Sequence, residues 1–204
     1  MHVPRAATAL LLTLVAFLGP GGRLRGQQPP AAAPAQRPGG NPLTTEQHLR
    51  LAFLAGQWEE EVTYAGAKPD EAKGAARWMA RPALGLYLQI QYEGASPAGP
   101  YRAFGVMTWD REAQAYRLWW FDDVAGVGEY RGNFTDENNL VLEHSGKVEG
   151  KSFRERIRYT RVSPTEVHTK IEQAWESGEF KLYLEGVARR TEGPARGPQR
   201  PSQK

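Results

Sequence analysis

The hydrophobic positions of this chain change period once, after a short segment that precedes a long alternating region. The segment "TTEQHLRLAFLAG" (residues 44–56) has the spacing of a short helix, with one of its two threonines as the N-cap and Gly56 at its end. Leu49, Ala52 and Phe53 would share the apolar face of this helix. Beyond it, apolar and polar residues alternate in short runs, which is the pattern of β-strands with one buried face.

Ten such runs follow one another, separated by short links rich in Gly, Asp, Asn, Ser and Pro, which favour tight turns. The predicted strands cover residues 57–64, 75–81, 86–92, 101–109, 115–121, 127–133, 139–145, 152–160, 166–175 and 180–190. No crossover helices separate them, so a parallel sheet is not expected. The pattern predicts an all-β fold, an antiparallel up-and-down barrel of about ten strands with a short N-terminal helix.

Alternation also predicts which side chains face the interior of the barrel. The inward phase mixes apolar with polar residues, and a solid core rarely contains so many polar groups, so we interpret the interior as a lumen that binds a ligand. The predicted apolar lining is Trp78, Leu88, Ile90, Tyr159, Ile171 and Trp175. The polar groups predicted to orient the ligand are Glu60, His144, Glu155, Thr169 and Gln173.

The two ends of the chain lack this alternation. Residues 1–26 have a basic start and a fourteen-residue apolar run, which predicts a signal peptide; a retained N-terminal anchor is the alternative. The run is too short for a spanning helix, so we expect an exported protein with no stable membrane span after cleavage. Residues 27–42 and 191–204 are rich in Pro and predict a disordered linker and tail. The barrel domain would then occupy residues 43–190.

Charge and cysteine content exclude several classes of function. The net charge of +3 comes from the ends, since residues 43–190 contain 19 Lys and Arg against 22 Asp and Glu. This balance excludes the basic surface that nucleic-acid binding requires. The chain has no cysteine, which excludes disulfides, thiolate chemistry and a lipidated cysteine. Its four histidines do not have the spacing of a metal site, so we expect neither a metal nor another cofactor.

Three short motifs resemble a known family. They are "LAFLAGQWE" (residues 51–59), "FGVMTWDREAQAYRLWWFD" (104–122) and "YLEGVARR" (183–190). All three are similar to the bacterial, often exported domains of unknown function called DUF1579, whose fold is lipocalin-like and distantly similar to nitrobindin. The resemblance implies a calycin-type barrel in the periplasm or outside the cell, and it implies no particular activity.

The "GQW" sequence at Gly56 carries a second part of this resemblance. In calycins, the Trp of a Gly-x-Trp motif closes one end of the barrel and packs under an Arg of the last strand. The resemblance implies this role for Trp58, with Arg189 or Arg190 stacked on its ring. Gly56 would permit the left-handed turn that ends the helix.

Histidine chemistry offers two alternatives to simple ligand binding. Nitrobindin-like barrels bind haem through a His near the chain end, but the last predicted strand has none and His168 is in the outward phase, so haem is not expected. An enzyme, a hydrolase or an isomerase, could use His144 as a general base oriented by Glu155. If Ser145 pairs with Ser152, these two side chains lie diagonally on adjacent strands.

A third alternative is a barrel filled solid by its side chains that acts as a protein-interaction domain. Trp119 and Phe121 share one face of their strand and would form the contact surface. The same face could instead pack beneath the N-terminal helix, which we favour. Across these alternatives, the leading prediction is an exported barrel that binds a small apolar or amphipathic molecule in its lumen.

Overall fold

The computed structural model describes residues 41–68 and 71–191, which form a barrel behind a short helical segment. The predicted signal peptide, almost all of the linker and almost all of the tail lie outside these residues. The helical segment consists of α1 (Glu46–Arg50) and a 3₁₀ helix (Leu51–Leu54). The strands are β1 (Gly56–Tyr64), β2 (Lys73–Ala83), β3 (Tyr87–Ser96), β4 (Gly99–Asp110), β5 (Ala115–Asp122), β6 (Val127–Phe134), β7 (Asn139–Val148), β8 (Lys151–Ser163), β9 (Glu166–Trp175) and β10 (Lys181–Arg190).

Each strand pairs antiparallel with the next strand of the chain, and pairing of β1 with β10 closes the barrel. The prediction of a ten-stranded antiparallel up-and-down barrel with a short N-terminal helix is therefore confirmed. Alternation along β1 buries every second residue, from Trp58 to Tyr64, on the inner face. In the described part of the chain, no helix is long and apolar enough to cross a bilayer.

The helical segment differs from the predicted amphipathic helix. Leu49 is 64% exposed, whereas Leu51 and Leu54 are buried, so the predicted apolar face is wrong. The reason is that the α-helix ends at Arg50 and the chain tightens to the 3₁₀ form, which places residues three apart on the same side. Leu51 and Leu54 consequently join the core of the barrel.

The core fills the end of the barrel that the helical segment covers. Its completely buried members come from several strands and pack against both buried leucines of the 3₁₀ helix: Met107, Leu118, Leu140, Leu142, Val167 and Ala188. A smaller cluster lies further along one wall and contains Val62, Tyr64, Ala76 and Leu184. The barrel is thus packed solid at the helical end, and its opposite end remains available for a cavity.

Trp58 closes the packed end. Its side chain is 1% exposed, its ring stacks on Trp78 with centroids 5.0 Å apart, and its Nε1 donates to the Leu54 carbonyl oxygen at 2.9 Å. The Arg190 guanidinium lies over the Trp58 ring, 4.2 Å from the centroid. Arg189, the other arginine considered, lies on the outer face and forms ion pairs with acidic side chains of β1 and β9.

Gly56 has a different role from the expected helix cap. The 3₁₀ helix ends at Leu54, Ala55 is extended, and Gly56 is the first residue of β1, with a φ of 136°. A Cβ at this position would overlap the Arg190 guanidinium, which donates hydrogen bonds to the carbonyl oxygens of Ala55 and Phe53. Gly56 therefore satisfies a backbone requirement and leaves room for the arginine that covers Trp58.

The helix docks on the end of the barrel, not on the Trp119 and Phe121 face. Tyr116 donates to the Gln47 backbone oxygen at 3.0 Å, and the Arg50 guanidinium lies 3.8 Å from the Phe134 ring centroid. Phe121 remains 43% exposed on the outside of the barrel. Our preferred explanation of this aromatic face, packing beneath the helix, is therefore wrong.

Candidate functional site

The lumen holds a cavity of about 710 Å³ that opens at the end of the barrel away from the helix and extends inward as far as Leu54 and Trp78. This volume lies within the usual range of small-molecule sites, roughly 300–1,000 Å³. The barrel is therefore not filled solid, in contrast to the third alternative. Exposed apolar residues of the strand ends surround the mouth, including Val124, Val127 and Val148.

Most of the residues predicted to face the ligand lie on the cavity wall. These are Glu60, Trp78, Ile90, His144, Glu155, Tyr159, Thr169, Ile171 and Gln173. Leu88 does not reach the cavity, because it points inward at the packed end and belongs to the core. Trp175, the last residue of β9, is 46% exposed and packs on Phe153, with ring centroids 4.8 Å apart. For both residues the predicted inward phase is correct, and the error concerns their position along the barrel axis.

Several tyrosines and Trp120 also line the cavity and were not among the predicted residues. This aromatic wall consists of Tyr64, Tyr92, Tyr101, Trp120, Tyr130 and Tyr183. Tyr92 packs edge-on against both Tyr101 and Trp120, with ring centroids 5.9 Å and 6.1 Å apart. Alternation does point to Tyr64 and Tyr92, which share the inward phase of Glu60 on β1 and of Ile90 on β3. It does not point to Tyr183, which directly precedes the inward-facing Leu184 on β10.

The aromatic wall presents neutral hydroxyl groups. Trp120 donates to the Tyr101 hydroxyl oxygen at 2.9 Å, and Tyr101 donates to Asp122 at 3.2 Å. Burial raises the pKa of Tyr92 and Tyr159 well above the usual value of a phenol. These side chains therefore offer polarisable faces and hydroxyl donors, without charge, over the physiological pH range.

Glu155 has hydrogen-bond partners on both carboxylate oxygens. Tyr130 donates to Oε1 at 2.5 Å, and the Gln173 amide donates to Oε2 at 2.7 Å. Burial raises the pKa of Tyr130, and the adjacent carboxylate raises it further, so the phenol remains a donor. Glu155 thus forms a closed polar network across β6, β8 and β9.

His144 is not oriented by Glu155. The two residues are directly opposite each other in the β7–β8 ladder, whereas the assumed pairing of Ser145 with Ser152 is wrong by two residues. His144 Nδ1 lies 2.9 Å from the Glu129 backbone oxygen. The base and the carboxylate proposed for an enzyme therefore have separate partners, and this geometry does not favour acid–base catalysis by the pair.

His168, the other histidine considered, lies on the outer face of β9. Its Nε2 is 2.8 Å from Glu166 Oε1, which is also on the outside of the barrel. Its outward phase follows the alternation of the strand. Among the described residues, no group of three or more His, Cys, Asp or Glu side chains has an arrangement that would hold a metal ion.

Glu60 has the most unusual environment of the site. The residue is 5% exposed, and its Oε1 is buried without a hydrogen-bond partner. The carboxyl group packs over Gly186, where a Cβ would overlap it. Burial raises the pKa of Glu60 to about 7, and hydrogen bonds from the Thr169 and Trp78 side chains to the carboxyl group lower the pKa by a smaller amount. Glu60 therefore retains an unused acceptor in the wall of the cavity.

The ionisable groups of the cavity wall are mostly acidic. Glu60, Asp122 and Glu155 contribute three carboxyl groups, and among the described lining residues Lys147, close to the mouth, is the one Lys or Arg. Asp122 accepts from the backbone N–H of Gly126 at 2.6 Å, which holds the loop between β5 and β6. An anionic ligand would meet an unfavourable field in this lumen.

Comparison with solved structures finds other barrels at low sequence identity. The crystal structure of Rv2717c from M. tuberculosis has a TM-score of 0.54 at 13% identity, covering 72% of this chain and 99% of that chain. The redesigned β-barrel mFAP0, bound to DFHBI, has a TM-score of 0.40 at 15% identity and covers 68% of this chain and 99% of its own. The S-type phycobiliprotein lyase CPES from Guillardia theta has a TM-score of 0.42 at 11% identity, covering 73% of this chain and 99% of that chain.

The likeness to Rv2717c shows the fold alone, because the identity is low. The search of curated proteins found no match. The similarity to nitrobindin and the calycin assignment remain predictions. The model of a family described as "Protein of unknown function (DUF1579)" matches residues 44–190, which form the whole barrel and its helical segment. The chain therefore belongs to the DUF1579 family.

Proposed function

We propose that this barrel binds a small apolar or amphipathic molecule in its lumen. The observation that carries the proposal is the cavity of about 710 Å³ in a barrel whose other end is packed solid. Protein interiors are normally close-packed, and apolar surface that lines a cavity loses dispersion contacts. A small molecule would restore those contacts, so the cavity is better explained as a binding site than as part of the core.

The distribution of polar groups favours an amphipathic ligand. Aromatic and aliphatic side chains form most of the wall, while a few polar groups converge on the lumen, as is usual for small-molecule sites. The network of Glu155, Tyr130 and Gln173 is internally satisfied. Glu60 retains an unused acceptor, and a ligand with one polar end would satisfy it.

We also propose that binding occurs outside the cytoplasm, in the periplasm or after secretion. The support is the basic start and the apolar run within residues 1–26. The absence of cysteine agrees with a fold that depends on its sheet and core rather than on disulfides. The intact mass of the protein purified from its native host tests this proposal, since a chain that retains these residues would contradict it.

Blocking the lumen is expected to abolish binding. Ile171 lines the cavity from β9, and a tryptophan at this position would occupy space that the ligand needs. In a fluorescence titration with the neutral dye Nile red, Ile171→Trp should weaken binding by about tenfold or more. Thermal unfolding followed by circular dichroism would verify that the variant is folded.

Lys170→Trp is the matched control, because Lys170 precedes Ile171 and points outward, beside Glu172. The control should bind Nile red within about twofold of the wild type, since loss of an exposed ion pair has little effect. Equal loss of binding in both variants, or unchanged binding in Ile171→Trp, would show that the dye does not enter the lumen.

A further inference from the structure

The chemistry of the ligand can be inferred from Glu60, and the inference rests on the proposed lumen binding. Glu60 is two residues from Trp58 on the inner face of β1, so it belongs to the inner part of the lumen rather than to the mouth. Its neighbours across the ladders are Ala76 on β2 and Ala188 on β10, and its carboxyl group lies over Gly186 on β10. A ligand that fills the cavity would bring one end to this position.

The three carboxyl groups of the wall differ in the partners that they already have. Both Glu155 oxygens accept hydrogen bonds, and Asp122 accepts from the β5–β6 loop and from Tyr101. Glu60 Oε1 is buried and has no such partner. Because an unsatisfied buried acceptor is unfavourable, a donor group of the ligand gains more at Glu60 than at either of the other two.

The surroundings of Glu60 favour a donor that carries positive charge. The groups that interact with it from β1, β3 and β8 are Tyr64, Tyr92 and Tyr159, all uncharged phenols. Trp78 on β2 and Thr169 on β9 complete the environment, and neither carries charge. A cation would therefore meet a carboxylate and several aromatic faces, both of which stabilise it.

We propose that the ligand is a cationic amphiphile, an apolar body with a protonated amine that Glu60 binds in the inner part of the lumen. The elevated pKa of Glu60, about 7, agrees with this assignment. A carboxyl group that is held partly protonated by burial would ionise when an ammonium group pairs with it. An amphiphile with a carboxylate head would instead place two like charges together.

Three ligands that share one tail and differ in the head group test the proposal. We would measure displacement of Nile red by decylammonium, 1-decanol and decanoate at pH 8, where Glu60 is mostly ionised. In the wild type, decylammonium should bind about tenfold more tightly than 1-decanol, with decanoate weakest. Glu60→Gln should reduce the preference for decylammonium over 1-decanol to about twofold or less, while 1-decanol still binds.

Glu61→Gln is the matched control, because Glu61 neighbours Glu60 in sequence but is on the exposed face of β1, and it should retain the wild-type order of affinities. Decanoate binding as tightly as decylammonium, or an unchanged preference in Glu60→Gln, would overturn the inference while leaving lumen binding intact. Displacement of Nile red by none of the three ligands would overturn it as well. Failure of the protein to bind Nile red at all would instead contradict the proposed function itself.

Discussion

Replacing Trp58 by alanine is expected to lower the free energy of unfolding by about 4 kcal/mol, the usual magnitude for a buried tryptophan. The substitution removes a ring that is 1% exposed and stacked on Trp78. It also removes the surface beneath the Arg190 guanidinium and the hydrogen bond to the Leu54 carbonyl oxygen. Because this ring closes the packed end of the barrel, the surrounding side chains cannot collapse into the space without opening that end. Urea denaturation measures the effect.

Trp175→Ala provides the comparison for this prediction. Trp175 is 46% exposed at the end of β9 and contacts Phe153. Because about half of its surface is already in water, we expect a loss of about 1 kcal/mol. Losses of equal size in the two variants would contradict the role of Trp58 as the closing residue, as would a loss below about 1 kcal/mol in Trp58→Ala.

Replacing Glu60 by glutamine is expected to stabilise the protein by about 3 kcal/mol at pH 8 and to have little effect at pH 4. Burial raises the pKa of Glu60 from 4.5 to about 7, so the folded protein binds this proton more tightly than the unfolded chain. The stability that the protonated group provides is fully present below pH 4.5 and is lost as the pH rises through about 7. Glutamine remains neutral throughout and avoids this loss.

Paired urea denaturation curves at pH 4 and pH 8 measure this difference. Burial raises the pKa of the phenols that interact with Glu60, those of Tyr64, Tyr92 and Tyr159, so they remain neutral over this range. Glu61→Gln, on the exposed face of β1, should change the free energy of unfolding by less than about 0.5 kcal/mol at either pH. A Glu60→Gln variant whose difference from the wild type is the same at both pH values would show that the carboxyl group is not desolvated.

A carboxyl group that reduces stability at neutral pH agrees with a binding role for Glu60. Residues that bind a ligand are commonly held in environments that are unfavourable without it. A Glu60→Gln variant that is more stable at pH 8 and no longer binds decylammonium more tightly than 1-decanol would show that this one residue both lowers stability and determines the ligand preference.

The strand composition of the barrel could be predicted from the sequence because the signal is local and repeated. Alternation along each strand and short links between strands define ten strands whose order follows the chain. The inward phase was also predictable, since Glu155 and Tyr159 on β8 and Thr169 and Gln173 on β9 all reach the cavity. The position of each residue along the barrel axis could not be predicted, because it depends on where the packed core ends. Leu88 was therefore placed in the lumen although it belongs to the core.

The register of β7 and β8 was mispredicted because of an unusual turn. The strands predicted over residues 139–145 and 152–160 leave a link of six residues, whereas the observed strands continue to Val148 and Lys151 and join through two residues. Glu149 and Gly150 both have positive φ, 50° and 83°, which is the geometry of a type I′ turn. Glutamate is not a residue that usually signals this turn, so the sequence did not indicate it.

The partners of the polar side chains could not be predicted either. Tyr130 and Gln173 reach Glu155 from two different strands, whereas Glu60 Oε1 is left without a hydrogen-bond partner. Such details follow from side-chain length and barrel diameter in three dimensions, which the period of a strand does not encode.

The central claim, that the lumen is a binding site, can be tested by NMR on the isoleucine side chains. The chain contains three isoleucines, Ile90, Ile157 and Ile171, and all three line the cavity. Titrating 1-decanol into protein labelled at the isoleucine δ1-methyl groups therefore reports on the lumen, and it does not depend on the charge of Glu60. Labelled Met79 on the outer side of β2 and Met107 in the packed core serve as internal references. We predict saturable shifts of all three isoleucine signals with one common affinity and much smaller shifts of both methionines; unchanged isoleucine signals, or shifts confined to Met79, would contradict binding in the lumen.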